Sequence, residues 1–256
     1  MTPFEHAMCG ATLALASGCH RKLGWPVVAM AGVAGLFPDW DGLSIILGGG
    51  PFDQTHRVWG HNLLVASSSG ILIGGLGYLW FRSAQGRRIA IRLQLESDQN
   101  TAVSPFSLRS LVLWLVVGLL ASLSHLPADM VYSKGPQVMR WPISPYWPFS
   151  DEKWGWDIAD WGDLSATMIF VGEMFALWRW RGHSQAIAVL TLLALHGYIG
   201  YCWLAGGAGF ATIIVPTLIG VAIVLMGLSS VFARSTGEPI LQEQDNDDHQ
   251  RDIQKR

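Results

Sequence analysis

Histidine and aspartate side chains concentrate in one short polar stretch of an otherwise apolar chain. Residues 38–62 have the sequence PDWDGLSIILGGGPFDQTHRVWGHN and carry Asp39, Asp41, His56 and His61. Imidazole nitrogen and carboxylate oxygen together form a ligand set for Zn²⁺, Mn²⁺ or Fe²⁺, and this stretch lacks the thiolates of most structural zinc sites. The residue types and their density therefore predict a divalent-metal site.

A second polar pair lies downstream, at the end of an apolar run. His125 and Asp129 are i and i+4, so they share one face if the helix continues past Pro127. A closed zinc site uses only four ligands, and the candidate residues exceed that number. Either two metal ions are bound, or some of the candidates orient the ligands of one ion. The predicted ligands are His6, Asp39, Asp41, His56, His61 and His125, and Asp129 is predicted to bind the metal, to orient a ligand or to take part in catalysis.

Basic side chains near this cluster would suit an anionic substrate. Arg57 lies between the two histidines of the first stretch, and its planar guanidinium fits phosphate oxygens. Lys134 could contribute in the same way from the opposite loop. Because two-metal sites are typical of phosphoester hydrolysis, we predict catalytic roles for Arg57 and Asp129. Glu173 is a further candidate, since an acid inside an apolar segment is costly unless it has a function or a partner on a neighbouring helix.

Simpler roles remain open for several of these positions. Pro-Asp after a helix is a common turn, so Asp39 or Asp41 alone could cap a helix. The tryptophan-rich loop over residues 127–162 could anchor the chain at the membrane–water boundary or form the wall of a lipid-binding cleft.

The elements that must position these residues are predicted to be membrane helices. Half of the 256 residues are hydrophobic and only 14% are charged, against about a quarter in soluble domains. The first two apolar runs are shorter than the roughly 20 residues that cross a bilayer. We predict an all-α polytopic membrane protein with about seven embedded helices in one domain, residues 1–233, followed by a charged, disordered tail, residues 234–256. The predicted segments are residues 6–20, 25–37, 62–81, 108–126, 163–178, 185–204 and 210–232.

The distribution of basic residues predicts which side of the membrane the metal site faces. Most of the 17 lysines and arginines fall in alternate loops, which the positive-inside rule assigns to the cytoplasm. The N-terminus is then outside, the C-terminus is cytoplasmic, and every predicted ligand lies on the outer side. A net charge of −2 suggests no nucleic-acid partner. The sequence makes no prediction of oligomeric state.

The order and spacing of these motifs resemble a known family. The chain resembles the YdjM-type, LexA-regulated inner-membrane proteins, which are described as membrane-bound metal-dependent hydrolases. Their pattern is an early His, PDxD, HRGxTHS, SHxxxD and a Gly-to-Trp-Pro stretch, matched here by His6, residues 38–41, residues 56–62, residues 124–129, and Gly135 with residues 141–142. Val58, Gly60 and Asn62 replace Gly, Thr and Ser of that pattern. The resemblance implies a bacterial inner-membrane location, and Asp160 best matches an acid that follows the Trp-Pro pair.

Three functions are compatible with these patterns. The first is a metal-dependent hydrolase that uses one or two divalent ions, zinc before manganese or iron, to activate water against a phosphoester or lipid-linked substrate. The second is a metal-ion or proton transporter, although such sites usually lie near the bilayer midplane and not at one end of the helices. The third is a membrane protein that binds metal only to stabilise its fold.

Overall fold

Helices make up all the regular elements that the structure describes. The computed structural model describes residues 1–49, 55–95, 106–135 and 140–204. Within these ranges, extended pairing is limited to three isolated bridges, which join Lys134 with Arg140, Lys134 with Asp160, and Ile143 with Trp154. The helices are α1 (Pro3–Ala16), α2 (His20–Leu23), α3 (Pro26–Leu36), a 3₁₀ helix (Phe37–Leu47), α4 (Leu63–Arg82), α5 (Ala84–Arg92), α6 (Leu108–Leu123), α7 (His125–Val131), α8 (Leu164–Arg179), a short 3₁₀ turn (Arg181–His183) and α9 (Ser184–Leu204).

Three helical stretches in the described part of the chain are long and apolar enough to cross a membrane. They are Leu63–Arg82, Leu108–Val131 and Arg181–Leu204, of 20, 24 and 24 residues. The predicted short first pair is confirmed, because α1 and α3 have only 14 and 11 residues. The all-α class is confirmed for the described residues, whereas the count of seven embedded helices stays a prediction. The predicted span 210–232 and the tail 234–256 lie outside those residues.

Small residues allow the helices to approach closely. α1 packs against α3 and α9, and α4 packs against α6. A Cβ atom added at Gly70 would lie 2.6 Å from the carbonyl oxygen of Gly118, and one at Gly74 would lie 2.5 Å from that of Trp114. The four-residue spacing of Gly70 and Gly74 therefore marks a helix contact.

Four of these helices bring their site-bearing ends together. The N-terminal end of α1 carries His6, and the C-terminal end of α3 continues into the 3₁₀ helix with its two aspartates. The loop before α4 carries His56 and His61, while α7 begins at His125. The helix continues through Pro127 to Val131, as the shared face of His125 and Asp129 requires.

Candidate metal centre

Two imidazole nitrogens and two carboxylate oxygens converge at this end of the helices. The Nε2 atoms of His61 and His125 lie 3.0 Å apart. Oδ1 of Asp39 lies 3.3 Å from the first nitrogen and 3.5 Å from the second. Oδ2 of Asp129 lies 3.0 and 3.6 Å from the same two nitrogens. A tetrahedral zinc site with bonds of about 2.0–2.1 Å has ligand–ligand separations near 3.3 Å, so these four atoms have the spacing of a metal's ligands.

The hydrogen bonds of the two histidines limit what can lie between their Nε2 atoms. Nδ1 of His125 lies 2.8 Å from the carbonyl oxygen of Gly35, which only accepts, so Nδ1 carries the hydrogen. Nδ1 of His61 lies 3.0 Å from Oδ2 of Asp41 and donates in the same way. In the neutral rings both Nε2 atoms then present lone pairs to each other, and these repel unless a proton or a metal ion lies between them. The donor set therefore fits a divalent cation.

Asp41 orients two histidines and does not face the converging atoms. Its Oδ1 lies 2.9 Å from Nδ1 of His56, and its Oδ2 binds Nδ1 of His61 and, at 2.8 Å, the backbone N–H of Gly60. Carboxylates that hold the far nitrogen of a metal-binding histidine fix its tautomer and increase its basicity. The geometry thus assigns Asp41 an orienting position, where the sequence predicted a ligand.

Three donors bind Oδ1 of Asp129, the carboxylate oxygen that faces away from the four converging ligand atoms. Its Oδ1 lies 3.0 Å from Nη2 of Arg57, 3.2 Å from Nε2 of His6 and 2.7 Å from the α-amino nitrogen of Met1. Arg57 also donates to the carbonyl oxygen of Trp141 and lies over that ring, 4.9 Å from its centre. Since the Arg57 side chain is only 1% exposed, its charge neutralises Asp129 in this structure and does not face solvent.

His6 contacts two residues of the centre, His125 and Asp129. Its ring stacks on that of His125 with 3.4 Å between the ring centres, and it donates through Nε2 to Asp129. Together with Asp39, these residues form one group whose ligand atoms all lie within 4.8 Å of one another. A second group of the same kind contains Asp39, His56 and His61, so Asp39 is shared between the two. Oδ2 of Asp39 is buried and has no hydrogen-bond partner among the described residues.

The loop that carries His61 depends on two of the residues that depart from the family pattern. A Cβ atom at Gly60 would lie 1.8 Å from the carbonyl oxygen of Pro38, so only glycine fits beside the 3₁₀ helix. Asn62 caps α4 by accepting from the N–H of Val65 at 2.9 Å. Its side-chain amide also donates to the carbonyl oxygens of Val58 and Trp59. These departures therefore hold the loop, and a Thr at position 60 would clash.

Burial and hydrogen bonding act in opposite directions on the pKa values of the loop residues. Burial disfavours the charged form of Asp41, but hydrogen bonds from His56 and His61 outweigh it and lower its pKa to about 2. Burial likewise acts against ionisation of Asp39, whose pKa is nevertheless lowered by hydrogen bonds from His125 and His61. For His61, burial would lower the pKa, yet its hydrogen bonds to Asp129, Asp39 and Asp41 raise it well above the ordinary value. The two lowered pKa values keep Asp39 and Asp41 ionised, and the raised pKa of His61 favours its protonated form next to them.

Three predicted residues lie elsewhere. Lys134 and Asp160 form a half-exposed ion pair at 3.5 Å, away from the convergent group. Glu173 is buried in α8 and accepts a hydrogen bond from Thr12 of α1 at 2.6 Å, so it has the neighbouring-helix partner that the sequence left open. Neither acid belongs to the two groups of potential ligands in the described part of the chain.

The tryptophan-rich loop contributes a contact that the sequence did not single out. Trp141 packs edge-on against His56, with 5.2 Å between the ring centres. The loop is attached through the N–H of Ser144, which donates to the carbonyl oxygen of Arg57. One part of this loop is therefore a wall of the centre, whereas the predicted roles as an interfacial anchor or as the wall of a lipid-binding cleft stay predictions. The Trp-Pro pair in the sequence was the only signal for it.

The chain matches a family model over most of its length. The family model described as YdjM inner membrane protein matches residues 1–208, which include every residue of the centre. No curated protein and no solved structure shows significant similarity to the chain. The chain belongs to the YdjM inner membrane protein family.

Proposed function

We propose that the protein is a membrane-bound, metal-dependent hydrolase that acts on a phosphoester. The observation that supports it most is the pair of histidines on Asp41, one of which faces the convergent ligand atoms while the other lies at the more exposed edge. His61 is fully buried, whereas the His56 side chain is 10% exposed. A histidine oriented by a carboxylate at the edge of a metal centre is placed to move a proton.

The chain's own residues divide into three roles in this proposal. His61, His125, Asp39 and Asp129 hold the cation, which when bound would supply Lewis acidity and lower the pKa of water. His56 accepts a proton at Nε2 from the attacking water, and Asp41 stabilises the resulting imidazolium through Nδ1. The proton then passes to the oxygen of the departing alcohol. Arg57 is a positioning residue that holds Asp129.

The sharing of Asp39 between two groups of ligands supports a phosphoester substrate. Two adjacent cations that share a carboxylate are typical of phosphoester hydrolysis, where they stabilise the attacking and leaving oxygens. In a two-ion form of the centre, the second ion would be held by Asp39, His56 and His61. His61 would then no longer bind the first ion, because its Nε2 has one lone pair. The first ion would be held by His6, Asp39, His125 and Asp129. In that form of the centre His56 is a ligand and not the proton acceptor.

The experiment compares metal content and turnover in the same samples. Detergent-purified protein is stripped, reloaded with zinc, manganese or iron, and assayed on a set of phosphomonoesters and phosphodiesters. We expect His56→Gln to keep one equivalent of metal and to lose about 10²-fold or more in kcat. His196→Gln, at an exposed histidine of α9, is the matched control and should behave as wild type. Fully loaded protein that hydrolyses none of these substrates would refute the hydrolase.

A stabilising metal site without turnover is the second candidate. It is favoured by the burial of the convergent atoms, since four protein ligands are enough to close a tetrahedral site. It predicts that metal removal lowers the unfolding temperature and that the loaded protein has no activity. The same loaded samples decide between the two functions.

We also place the centre at the outer face of the inner membrane, as the charge asymmetry of the loops predicts. Ser150 lies in the loop that adjoins the centre, and Ser83 lies between α4 and α5 at the arginine-rich end. In intact spheroplasts, Ser150→Cys should react with a membrane-impermeant thiol reagent and Ser83→Cys should not. The reverse pattern would place the centre on the cytoplasmic side.

A further inference from the structure

Within the described part of the chain, the centre is most exposed between the 3₁₀ helix and the loop before α4. The side chains of Asp39 and His56 are 12% and 10% exposed, whereas those of His61, His125 and Asp129 are at most 2% exposed. Among the described residues of the centre, Asp39 and His56 are therefore the ones that a substrate can reach. Gly42 lies beside His56, where an added Cβ would sit 3.5 Å from Nδ1.

Two tryptophans flank this opening. Trp40 follows Asp39, and Trp59 precedes Gly60 in the opposite loop. Their rings stack with 6.4 Å between centres, and the two residues are 40% and 43% exposed. Tryptophans with this partial exposure are typical of the boundary between lipid chains and head groups.

An apolar ridge continues from the opening. It consists of the last part of the 3₁₀ helix, residues 43–47, in which Ile46 and Leu47 are 79% and 77% exposed. Ser44, within the ridge, points back and binds the carbonyl oxygen of Asp41 and the hydroxyl of Thr55, which fixes the ridge to the centre. Because Ser44 is bound on the inner side, the large aliphatic side chains of residues 43–47 face outward.

The ridge adjoins a helix that is long and apolar enough to cross a membrane. The 3₁₀ helix packs on α4, a candidate membrane span of which only 28% is buried inside the protein. The first residues of α4, Leu63 and Leu64, are exposed and continue the apolar surface. The one lysine or arginine in residues 37–47 and 55–62 is Arg57, and its side chain is buried against Asp129. These two segments of the edge thus present apolar groups and no exposed lysine or arginine, and Arg140, beside Trp141, is paired with Asp157.

We propose that the substrate is a membrane lipid whose phosphoester head group enters beside the stacked rings of Trp40 and Trp59 while its alkyl chains lie along the ridge at residues 43–47. This inference rests on the proposed hydrolase and names the class of its substrate. The lipid stays in the bilayer leaflet next to the centre, and only the phosphoester reaches Asp39 and His56. The ridge contributes affinity for the chains and not for the head group.

Matched substrates of different chain length test this inference. Dihexanoyl and dioleoyl forms of phosphatidate, phosphatidylglycerol and phosphatidylethanolamine are offered to metal-loaded protein, the long-chain forms in nanodiscs. For the Ile46→Ser/Leu47→Ser variant we expect kcat/KM to fall at least about tenfold on the long-chain substrate, because two aliphatic contacts are lost. On the short-chain substrate kcat/KM should stay within about twofold of wild type. Leu193→Ser, an exposed leucine on α9, is the control and should change neither value.

A binding measurement separates failure of this inference from failure of the hydrolase. Quenching of tryptophan fluorescence by lipids brominated near the head group is compared between wild type and Trp40→Phe/Trp59→Phe. Loss of part of the quenching in the variant is expected. If the protein hydrolyses short-chain and long-chain substrates equally well, and the ridge variant changes neither rate, the lipid inference is overturned. The proposed hydrolase activity then still stands. If no substrate is cleaved, the hydrolase fails, and absence of a quenching difference then overturns the lipid-facing opening as well.

Discussion

Replacement of Asp41 by asparagine tests how the centre is oriented. The carboxylate accepts from Nδ1 of His56 at 2.9 Å, from Nδ1 of His61 at 3.0 Å and from the N–H of Gly60 at 2.8 Å. An asparagine of the same shape keeps one acceptor oxygen and turns its NH₂ group toward one of these donors. At least one histidine therefore loses the partner that fixes its tautomer.

The expected loss follows from what such partners contribute. Removal of a group that orients a metal-binding histidine typically weakens metal affinity by about 10–100-fold, or roughly 1.4–2.7 kcal/mol. We expect Asp41→Asn to raise the Kd for zinc within that range, measured by competition with a chromogenic chelator in detergent. Asp160→Asn, which removes a half-exposed carboxylate paired with Lys134, should leave the Kd unchanged. A Kd for Asp41→Asn within about twofold of wild type, in a variant whose circular dichroism shows it to be folded, would refute the orienting role.

Three further predictions address the loop, the pH dependence and the helix packing. Gly60→Ala should abolish metal binding and destabilise the fold by about 1–3 kcal/mol, because the added Cβ meets a backbone carbonyl. The control is Gly200→Ala, which has open space at the Cβ and should unfold at the wild-type temperature. Because the pKa of His61 is raised, its contribution to the stability of the apo-protein should be full below about pH 6.5 and should be lost as pH rises through the folded value. Metal affinity rises over the same range, so the gap between loaded and apo unfolding temperatures should widen. A gap that narrows with pH would contradict this. Gly70→Val should weaken the packing of α4 on α6 at Gly118, seen as earlier unfolding in denaturing detergent, and wild-type unfolding would contradict it.

Helix positions and the composition of the centre could be predicted from the sequence because both follow from local patterns. Apolar runs of sufficient length become helices, and the six predicted segments within the described residues correspond to α1, α3, α4, α6, α8 and α9. The polar residues between these runs had no apolar face to join. Their charge, and the prediction that they lie at the same end of the helices, already indicated a shared site.

The division between ligands and orienting residues could not be predicted in the same way. Asp39 and Asp41 are both acids on one 3₁₀ helix, and only their partners show that the first faces the convergent nitrogens and the second faces Nδ1 atoms. The role of Arg57 depends on a backbone φ of 65°, in the left-handed region that a non-glycine residue seldom adopts. Long-range contacts decide these features, and no local pattern in the sequence encodes them.

An anomalous-scattering map of the metal-loaded crystal, recorded at the absorption edge of the bound metal, tests the central claim most directly. We predict a peak about 2.0–2.2 Å from Nε2 of His61 and of His125, within bonding distance of the Asp39 and Asp129 carboxylates. In His125→Ala the peak should be lost or strongly reduced. A wild-type crystal that has been loaded with zinc, manganese or iron and shows no peak between these four side chains would contradict the assignment of a metal centre.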